Sequence, residues 1–76
     1  MSMLRADSPV PLYVQLYNQI RTDIEQGSLQ MGRQLPSERQ LAADYGISRL
    51  TARKALSLLR EEGMISARRG RGSFVA

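Results

Sequence analysis

The sequence contains neither cysteine nor histidine. Without cysteine there can be no disulfide bond and no thiolate metal ligand, and without histidine the most common general base is missing. None of the seven acidic residues forms a pair with a spacing typical of acid–base catalysis. The residues therefore predict a protein that is not an enzyme and that needs no cofactor and no metal ion.

Long apolar runs are also absent, and no stretch approaches the roughly 18 apolar residues that a membrane-spanning helix needs. The N-terminus lacks the basic, apolar and small-residue pattern of a signal peptide. With 42% hydrophobic and 24% charged residues, the 76 residues have the composition of one small globular domain. We expect a cytoplasmic protein without a membrane partner, divided into a flexible leader at residues 1–8 and a single domain at residues 9–76.

Positive charge is concentrated in the second half of the chain. Residues 1–38 carry a net charge of −1, whereas residues 39–76 carry +5. No acidic residue follows Glu62, but Arg68, Arg69 and Arg71 do. Such an uneven distribution is typical of proteins that bind polyanions, although on charge alone an ordinary basic domain is an equally good interpretation.

A repeat of apolar residues at every fourth position predicts the first helix. The repeat consists of Leu12, Leu16, Ile20 and Ile24. Pro11 suits the first helical position, and Gly27 suits the left-handed residue that closes a helix. We expect an amphipathic helix of about four turns whose apolar stripe faces the core. A connector follows at residues 28–36, with Leu35 in a very short strand.

The second helix is predicted from its capping residues. The segment from Ser37 to Gln40 fits a capping box, in which the serine oxygen accepts a hydrogen bond from the third helical amide and Gln40 reaches back to the cap. The pattern ends at Gly46. A short helix is therefore expected between these residues.

The third helix begins after only two further residues. Ser48 is its predicted cap, the helix runs from about Arg49 to Glu62, and Gly63 ends it. Ile47, inside the short turn, is expected to point inward and to fix the angle between the helices. Two helices joined by a tight glycine-containing turn constitute a helix-turn-helix, although other helical hairpins share this spacing.

The periodicity changes after the third helix. Two β-like runs, at residues 64–68 and 73–75, flank a turn at residues 69–72 that contains two glycines and two arginines. This pattern predicts a β-hairpin. The order of helix, helix, tight turn, helix and basic hairpin predicts a mainly α fold with a small β-hairpin wing, the winged helix-turn-helix.

The third helix separates into an apolar and a basic face. Ala52, Ala55, Leu56 and Leu59 should face the core. Arg49, Arg53 and Arg60 fall together in a sector about 40° wide. Arg49 and Arg53 repel each other by about 0.2–0.5 kcal/mol, and Arg49 and Arg39 oppose their helix dipoles by about 0.3–1 kcal/mol. Each arginine alone is more often a solvated surface residue, but local costs that cluster on one face indicate a functional site.

This chemistry fits the grooves of duplex DNA. An arginine can donate two hydrogen bonds to guanine in the major groove. Ser48 and Thr51 can donate to phosphates or bases, and Leu50 can contact a thymine methyl group. Glycines in the hairpin turn allow close approach to the minor groove, whose negative potential attracts arginine.

Three other interpretations stay open at this stage. The hairpin turn can contain glycine only for its backbone geometry, with incidental arginines. The chain can bind RNA or single strands, which would call for aromatic stacking platforms. It can also be a protein-interaction domain, although the basic faces would then be unexplained.

Several segments together resemble one known family. They are PLYVQL at residues 11–16, LPSERQLA at 35–42, ISRLTARKAL at 47–56, GMI at 63–65 and GRGSFV at 70–75. These segments closely resemble the GntR family of bacterial transcription regulators, and the first is most similar to its HutC branch. The resemblance covers residues 9–76 and implies a winged helix-turn-helix domain with a recognition helix in the major groove.

The resemblance also implies which residues contact DNA. Arg39, Arg49 and Arg53 match the base-contacting arginines of the family, and Gly70 matches its minor-groove contact. Further positions on or beside the expected contact surface are Ser37, Ser48, Leu50, Thr51, Lys54, Arg69 and Arg71.

The partners implied are those of the family. They are double-stranded, pseudo-palindromic operator DNA and a second copy of the chain, with repression as the usual outcome. Members carry a C-terminal domain for dimerisation and effector binding, which in the HutC branch binds a small metabolite. No segment of this chain matches that domain, so we expect any small-molecule effector to act only through it.

Overall fold

The computed structural model describes residues 4–76 and contains three helices followed by a two-stranded antiparallel sheet. The elements are α1 (Leu12–Glu25), α2 (Glu38–Tyr45), α3 (Arg49–Glu61), β1 (Ile65–Arg68) and β2 (Gly72–Val75). This order confirms the predicted fold class. No helix in this part of the chain combines the length and the apolar character needed to cross a bilayer.

Helix α1 begins one residue later than predicted. Pro11 is its N-cap, with an extended ψ of 146°, and is not the first helical residue. Its carbonyl accepts hydrogen bonds from the amides of Val14 and Gln15 at 3.0 and 3.1 Å. Leu16 and Ile20 of the predicted stripe are buried, whereas the two terminal members of the stripe are only half-buried.

Serine caps begin the other two helices, as the sequence predicts. Ser37 Oγ accepts a hydrogen bond from the Gln40 amide at 3.1 Å, and Ser48 Oγ accepts one from the Thr51 amide at 3.0 Å. The second half of the predicted capping box is wrong. The Gln40 side chain instead points along α2, where its Nε2 donates to Asp44 Oδ1 at 2.8 Å, one turn further on.

The turn between α2 and α3 holds the two helices at a fixed angle. Helix α2 ends at Gly46, whose φ is 66°. The Ile47 amide then donates to the Ala42 carbonyl at 3.0 Å, and the Ile47 side chain packs against the core. The predicted inward orientation of Ile47 is confirmed.

The core lies around α3, which packs against α1, α2 and β1. Its predicted apolar face is confirmed, because Ala52, Ala55, Leu56 and Leu59 are all buried. Complete burial of a leucine such as Leu59 contributes about 1.5–3 kcal/mol. No charged side chain is buried within residues 4–76, and Tyr17 is the one buried side chain there with a polar atom. The remaining buried residues are Leu16, Tyr17, Ile20, Leu35, Leu41, Ile65 and Val75.

The connector adds a short third segment to the hairpin. In the sheet, Ile65 pairs with Val75 and Arg68 pairs with Gly72. On the other edge of β2, Gln34 forms a single bridge to Phe74, and the Leu35 amide donates to the Ser73 carbonyl at 2.8 Å. The strand predicted at Leu35 is thus one bridge centred on Gln34, because the proline at position 36 and the cap of α2 follow immediately.

Part of the predicted leader contacts α1. Residues 1–3 lie outside the described part of the chain. Leu4 packs against the core, the Arg5 amide donates to Gln15 Oε1 at 2.7 Å, and Gln15 Nε2 returns a bond to the Arg5 carbonyl at 2.8 Å. Residues 4 and 5 are therefore held on α1, and the division between residues 8 and 9 stays a prediction.

Candidate nucleic-acid interface

The N-terminal end of α3 is exposed and held by its cap. Ser48 Oγ accepts the Thr51 amide bond and also lies 2.8 Å from Thr51 Oγ1. Both hydroxyls, which the sequence suggested as contacts to phosphates or bases, therefore stabilise the first turn of the helix. A hydroxyl oxygen retains further hydrogen-bonding capacity, so these groups can still meet a ligand at the exposed end.

Beyond the cap, the outer face of α3 is cationic. Arg49, Arg53 and Lys54 are exposed, as is Arg60 at the far end of the helix. Leu50, on the same exposed side, has 57% of its surface accessible to solvent. The opposite face lies in the core, so the basic side chains of α3 are turned to solvent, together with Leu50 and, at the end of the helix, Glu61.

Arg53 is not free in this structure. Its Nε and Nη2 atoms donate to both carboxylate oxygens of Glu38 at 3.2 Å. The Glu38 carboxylate raises the pKa of the Arg53 guanidinium. Arg53, a predicted base-contacting residue, is therefore engaged in an ion pair, because the packing of α2 on α3 brings an acid within reach.

The ion pair is accessible to solvent, although Glu38 is half-buried, so Arg53 can exchange Glu38 for another partner. The Arg53 side chain is 56% accessible to solvent, and that of Glu38 is 30% accessible. Pairs of this kind contribute only about 0–1 kcal/mol. A phosphate or a guanine can therefore compete for the Arg53 guanidinium.

The same contact brings the beginnings of α2 and α3 together. Arg39 follows Glu38 in the first turn of α2, and Arg49 lies one turn before Arg53 in α3. Both Arg39 and Arg49 are exposed, and neither forms an ion pair with any acid in residues 4–76. Ser37, at the adjoining cap, is also exposed. The Glu38–Arg53 pair thus places the first turn of α2 beside α3, and the predicted contact residues next to it are exposed.

Lys54 borders this surface beside α1. Its Nζ atom lies 5.7 Å from the centroid of the Tyr13 ring. A cation over an aromatic face gains roughly 0.5–1 kcal/mol at an exposed site. Tyr13 therefore restrains a lysine whose position the sequence alone left undefined.

The tip of the wing is a glycine-containing turn with arginines on both sides. The Arg71 amide donates to the Arg68 carbonyl at 2.9 Å, and Gly70 has a φ of 74°. This is the turn geometry that glycine favours at the third position. Arg69 and Arg71 are exposed at the tip, whereas the Arg68 guanidinium lies over the Phe74 ring, 5.1 Å from its centroid.

A contact that the sequence did not reveal joins α1 to the end of α3. The Tyr17 hydroxyl donates to Glu62 Oε1, and Arg21 Nη1 donates to the Tyr17 oxygen at 3.4 Å. Chiefly because Glu62 accepts this hydrogen bond, the pKa of Tyr17 is raised. An acid at the C-terminal end of a helix is unfavourable for the helix dipole. At Glu62 this cost is offset by the hydrogen bond from Tyr17, which joins the end of α3 to α1.

Sequence reasoning missed three side chains that shape this surface. They are Glu38, which binds Arg53, Tyr13, which lies under Lys54, and Gln34, which donates to the Arg71 carbonyl at 2.6 Å. Of the three, only Glu38 could have been noticed in the sequence, because it is an acid next to Arg39, a predicted base-contacting residue. The other two contacts join residues far apart in the sequence.

Comparisons with known proteins agree with this architecture. The family model for bacterial regulatory proteins of the gntR family matches residues 12–75. The HTH-type transcriptional repressor NagR of Bacillus subtilis is 47% identical over 73 residues, which make up 96% of this chain and 30% of NagR. This chain therefore spans about a third of the length of such relatives.

Solved structures show the same fold. YtrA from Sulfolobus acidocaldarius, a GntR-family transcription factor, superimposes with a TM-score of 0.90 and 38% identity, over 95% of this chain and 76% of YtrA. AraR(DBD), solved in complex with operator ORX1, superimposes with a TM-score of 0.87 and 31% identity over 100% of both chains. The chain, with its three helices and basic hairpin, belongs to the GntR family of bacterial regulatory proteins.

Proposed function

We propose that this chain is the sequence-specific, double-stranded DNA-binding part of a bacterial transcription regulator that acts as a repressor in the cytoplasm. The observation that carries the proposal is the exposed basic surface formed by α3 and the first turn of α2. It is supported by the relative AraR(DBD), whose structure contains operator DNA. The opening segment of the chain favours the HutC branch of the family.

The recognition helix of this proposal is α3, placed in the major groove. Arg39, Arg49 and Arg53 read guanines by paired hydrogen bonds, each worth about 1–3 kcal/mol of discrimination. Leu50 contacts a thymine methyl group. The backbone phosphates are bound by Ser37, Ser48, Thr51 and Lys54.

The wing enters the adjacent minor groove. Gly70 has no side chain at the tip, so its backbone can approach the groove floor. Arg69 and Arg71 flank it, and the negative potential of a narrow minor groove attracts their guanidinium groups. Two copies of the chain bind a pseudo-palindromic operator, one to each half-site. Any small-molecule effector acts through an effector domain and not through these residues.

Binding of RNA or single strands is less well supported. Such binding uses exposed aromatic rings as stacking platforms. The chain has four aromatic residues, and all are buried or half-buried. Tyr13 and Phe74 in addition have cations over their rings. No stacking platform is therefore available without rearrangement.

Selection from a pool of random duplexes tests the proposal. We expect enrichment of one motif with two-fold symmetry and a fixed spacing between half-sites. A single-stranded pool of the same sequences serves as the control and should compete only weakly. Failure to enrich any motif, or equal competition by single strands, would contradict sequence-specific duplex binding.

A further inference from the structure

The side chain of Gln34 joins the body of the domain to the tip of the wing. Its Nε2 donates to the carbonyl of Arg71 at 2.6 Å, although 37 residues separate the two in the sequence. Within the hairpin, the same turn is closed by the hydrogen bond from the Arg71 amide to Arg68. The tip is therefore held both by its own turn and by the connector.

The connector gives Gln34 a fixed base. Its backbone is bridged to Phe74 in β2, the Leu35 amide donates to Ser73, and the Val75 amide donates to the Arg33 carbonyl at 2.9 Å. From this anchored position beside Phe74, the side chain extends along β2 to a residue three positions nearer the tip. Its amide can thus resist movement of the tip relative to the three helices.

Gly72 provides the space through which the Gln34 amide reaches the tip. A Cβ atom placed at Gly72 would lie 3.0 Å from Gln34 Nε2, which is closer than side chains normally approach. The φ of Gly72 is 104°, in a region that other residues rarely adopt. A larger residue at position 72 would therefore crowd the Gln34 amide.

We propose that Gln34 is a positioning residue for DNA binding, whose amide fixes the turn that presents Arg69 and Arg71 to the minor groove. The inference rests on the proposed function. Two paired strands of this length are marginally stable in water by themselves, so a free tip would sample many orientations. Fixing a free tip on DNA would cost conformational entropy. A tip that Gln34 already holds in place avoids most of this cost on binding.

The variant Gln34→Met tests this role, because methionine keeps the length of the side chain but cannot donate. The matched control is Gln30→Met, at an exposed position of the same connector for which no side-chain hydrogen bond is found within residues 4–76. We expect Gln34→Met to weaken binding to the selected duplex about two- to tenfold. Gln30→Met should bind like the wild type.

The salt dependence of binding separates positioning from direct contact. Gln34 is uncharged, so removing it directly releases no counterion. If the wing no longer contacts the DNA backbone, the binding constant should depend less on salt. The slope of log K against log salt should become shallower by roughly 0.9 for each lost phosphate contact. In a background with Arg69→Ala and Arg71→Ala, the Gln34→Met change should cause no further loss.

Hydrogen exchange tests the same contact without DNA. In Gln34→Met, the Arg71 amide should exchange faster, while the amides of the three helices keep their rates. If the wild type binds the duplex, two results would contradict the role of Gln34 without affecting the proposed function. One is equal affinity of Gln34→Met and Gln30→Met for the duplex. The other is a full loss of affinity from Gln34→Met in the background that carries Arg69→Ala and Arg71→Ala. Absence of duplex binding by the wild type would instead contradict the proposed function itself.

Discussion

Arg49 is the residue on which base recognition is expected to depend most directly. It is exposed one position after the cap of α3 and has no ion pair within residues 4–76. We expect Arg49→Ala to weaken binding to the selected operator by about 1–3 kcal/mol and to relax its sequence preference. Titrations with operator and random duplexes measure both effects.

The control for this variant is Arg60→Ala. Arg60 lies on the same helix, about 16 Å further along its axis, and its Nη2 donates a hydrogen bond to Ser57 Oγ at 3.3 Å. Its loss should affect operator and random DNA alike. An equal loss on both duplexes for Arg49→Ala would count against base reading by Arg49.

Glu38 is expected to restrain binding that is independent of sequence. Its carboxylate holds Arg53 and places a negative charge beside the proposed DNA surface. We expect Glu38→Gln to raise affinity for random duplexes, because Arg53 is released and a charge that repels phosphate is removed. Since solvent reaches both side chains of the pair, the free energy of unfolding should fall by less than about 1 kcal/mol.

Glu25, an acid on α1, provides the control for the Glu38 variant. Glu25 pairs with Arg21 at 3.2 Å on an exposed part of α1, and Glu25→Gln changes the net charge by the same amount. If both variants raise affinity for random DNA equally, the effect is one of overall charge. The specific role of Glu38 would then be excluded.

At the scale of the elements, the cap of α3 allows stability and binding to be separated. Ser48→Ala should lower the free energy of unfolding by about 0.5–2 kcal/mol. Ser48→Asp should keep the cap and favour the helix dipole, yet lose DNA affinity because its carboxylate would face phosphates. Urea unfolding and duplex titration measure the two properties.

An acidic substitution elsewhere controls for the added charge. Ser28→Asp lies at an exposed position in the connector and should reduce affinity much less than Ser48→Asp. If Ser48→Asp binds operator as the wild type does, the beginning of α3 does not contact DNA.

The elements were predictable because their signals are local. The serine caps of α2 and α3, the glycines after the helices and the apolar periodicity of α3 each act within a few residues. The contacts that shape the candidate site are not local. Glu38 and Arg53 are 15 residues apart, Gln34 and Arg71 are 37 apart, and Tyr17 and Glu62 are 45 apart. Such pairs are set by how the helices and the hairpin pack, which no local pattern encodes.

At the scale of the molecule, the surface predicts a monomer in free solution. The large apolar side chains exposed in residues 4–76 are Val10, Met31 and Leu50. They lie on three different segments, whereas stable interfaces bury about 800 Å² on each partner. We expect sedimentation to show a monomer without DNA, which binds an isolated half-site weakly and occupies the operator as two copies. A stable dimer without DNA would contradict this prediction.

No charged side chain is buried in residues 4–76. Salt should therefore affect the stability of the DNA complex much more than the stability of the fold. Added ions screen exposed charges over about 10 Å at 0.1 M and so weaken attachment to a polyanion. Apolar packing is not screened in this way. Rising ionic strength should therefore detach the protein while it stays native, and a later dilution should restore occupancy at once, without a refolding step.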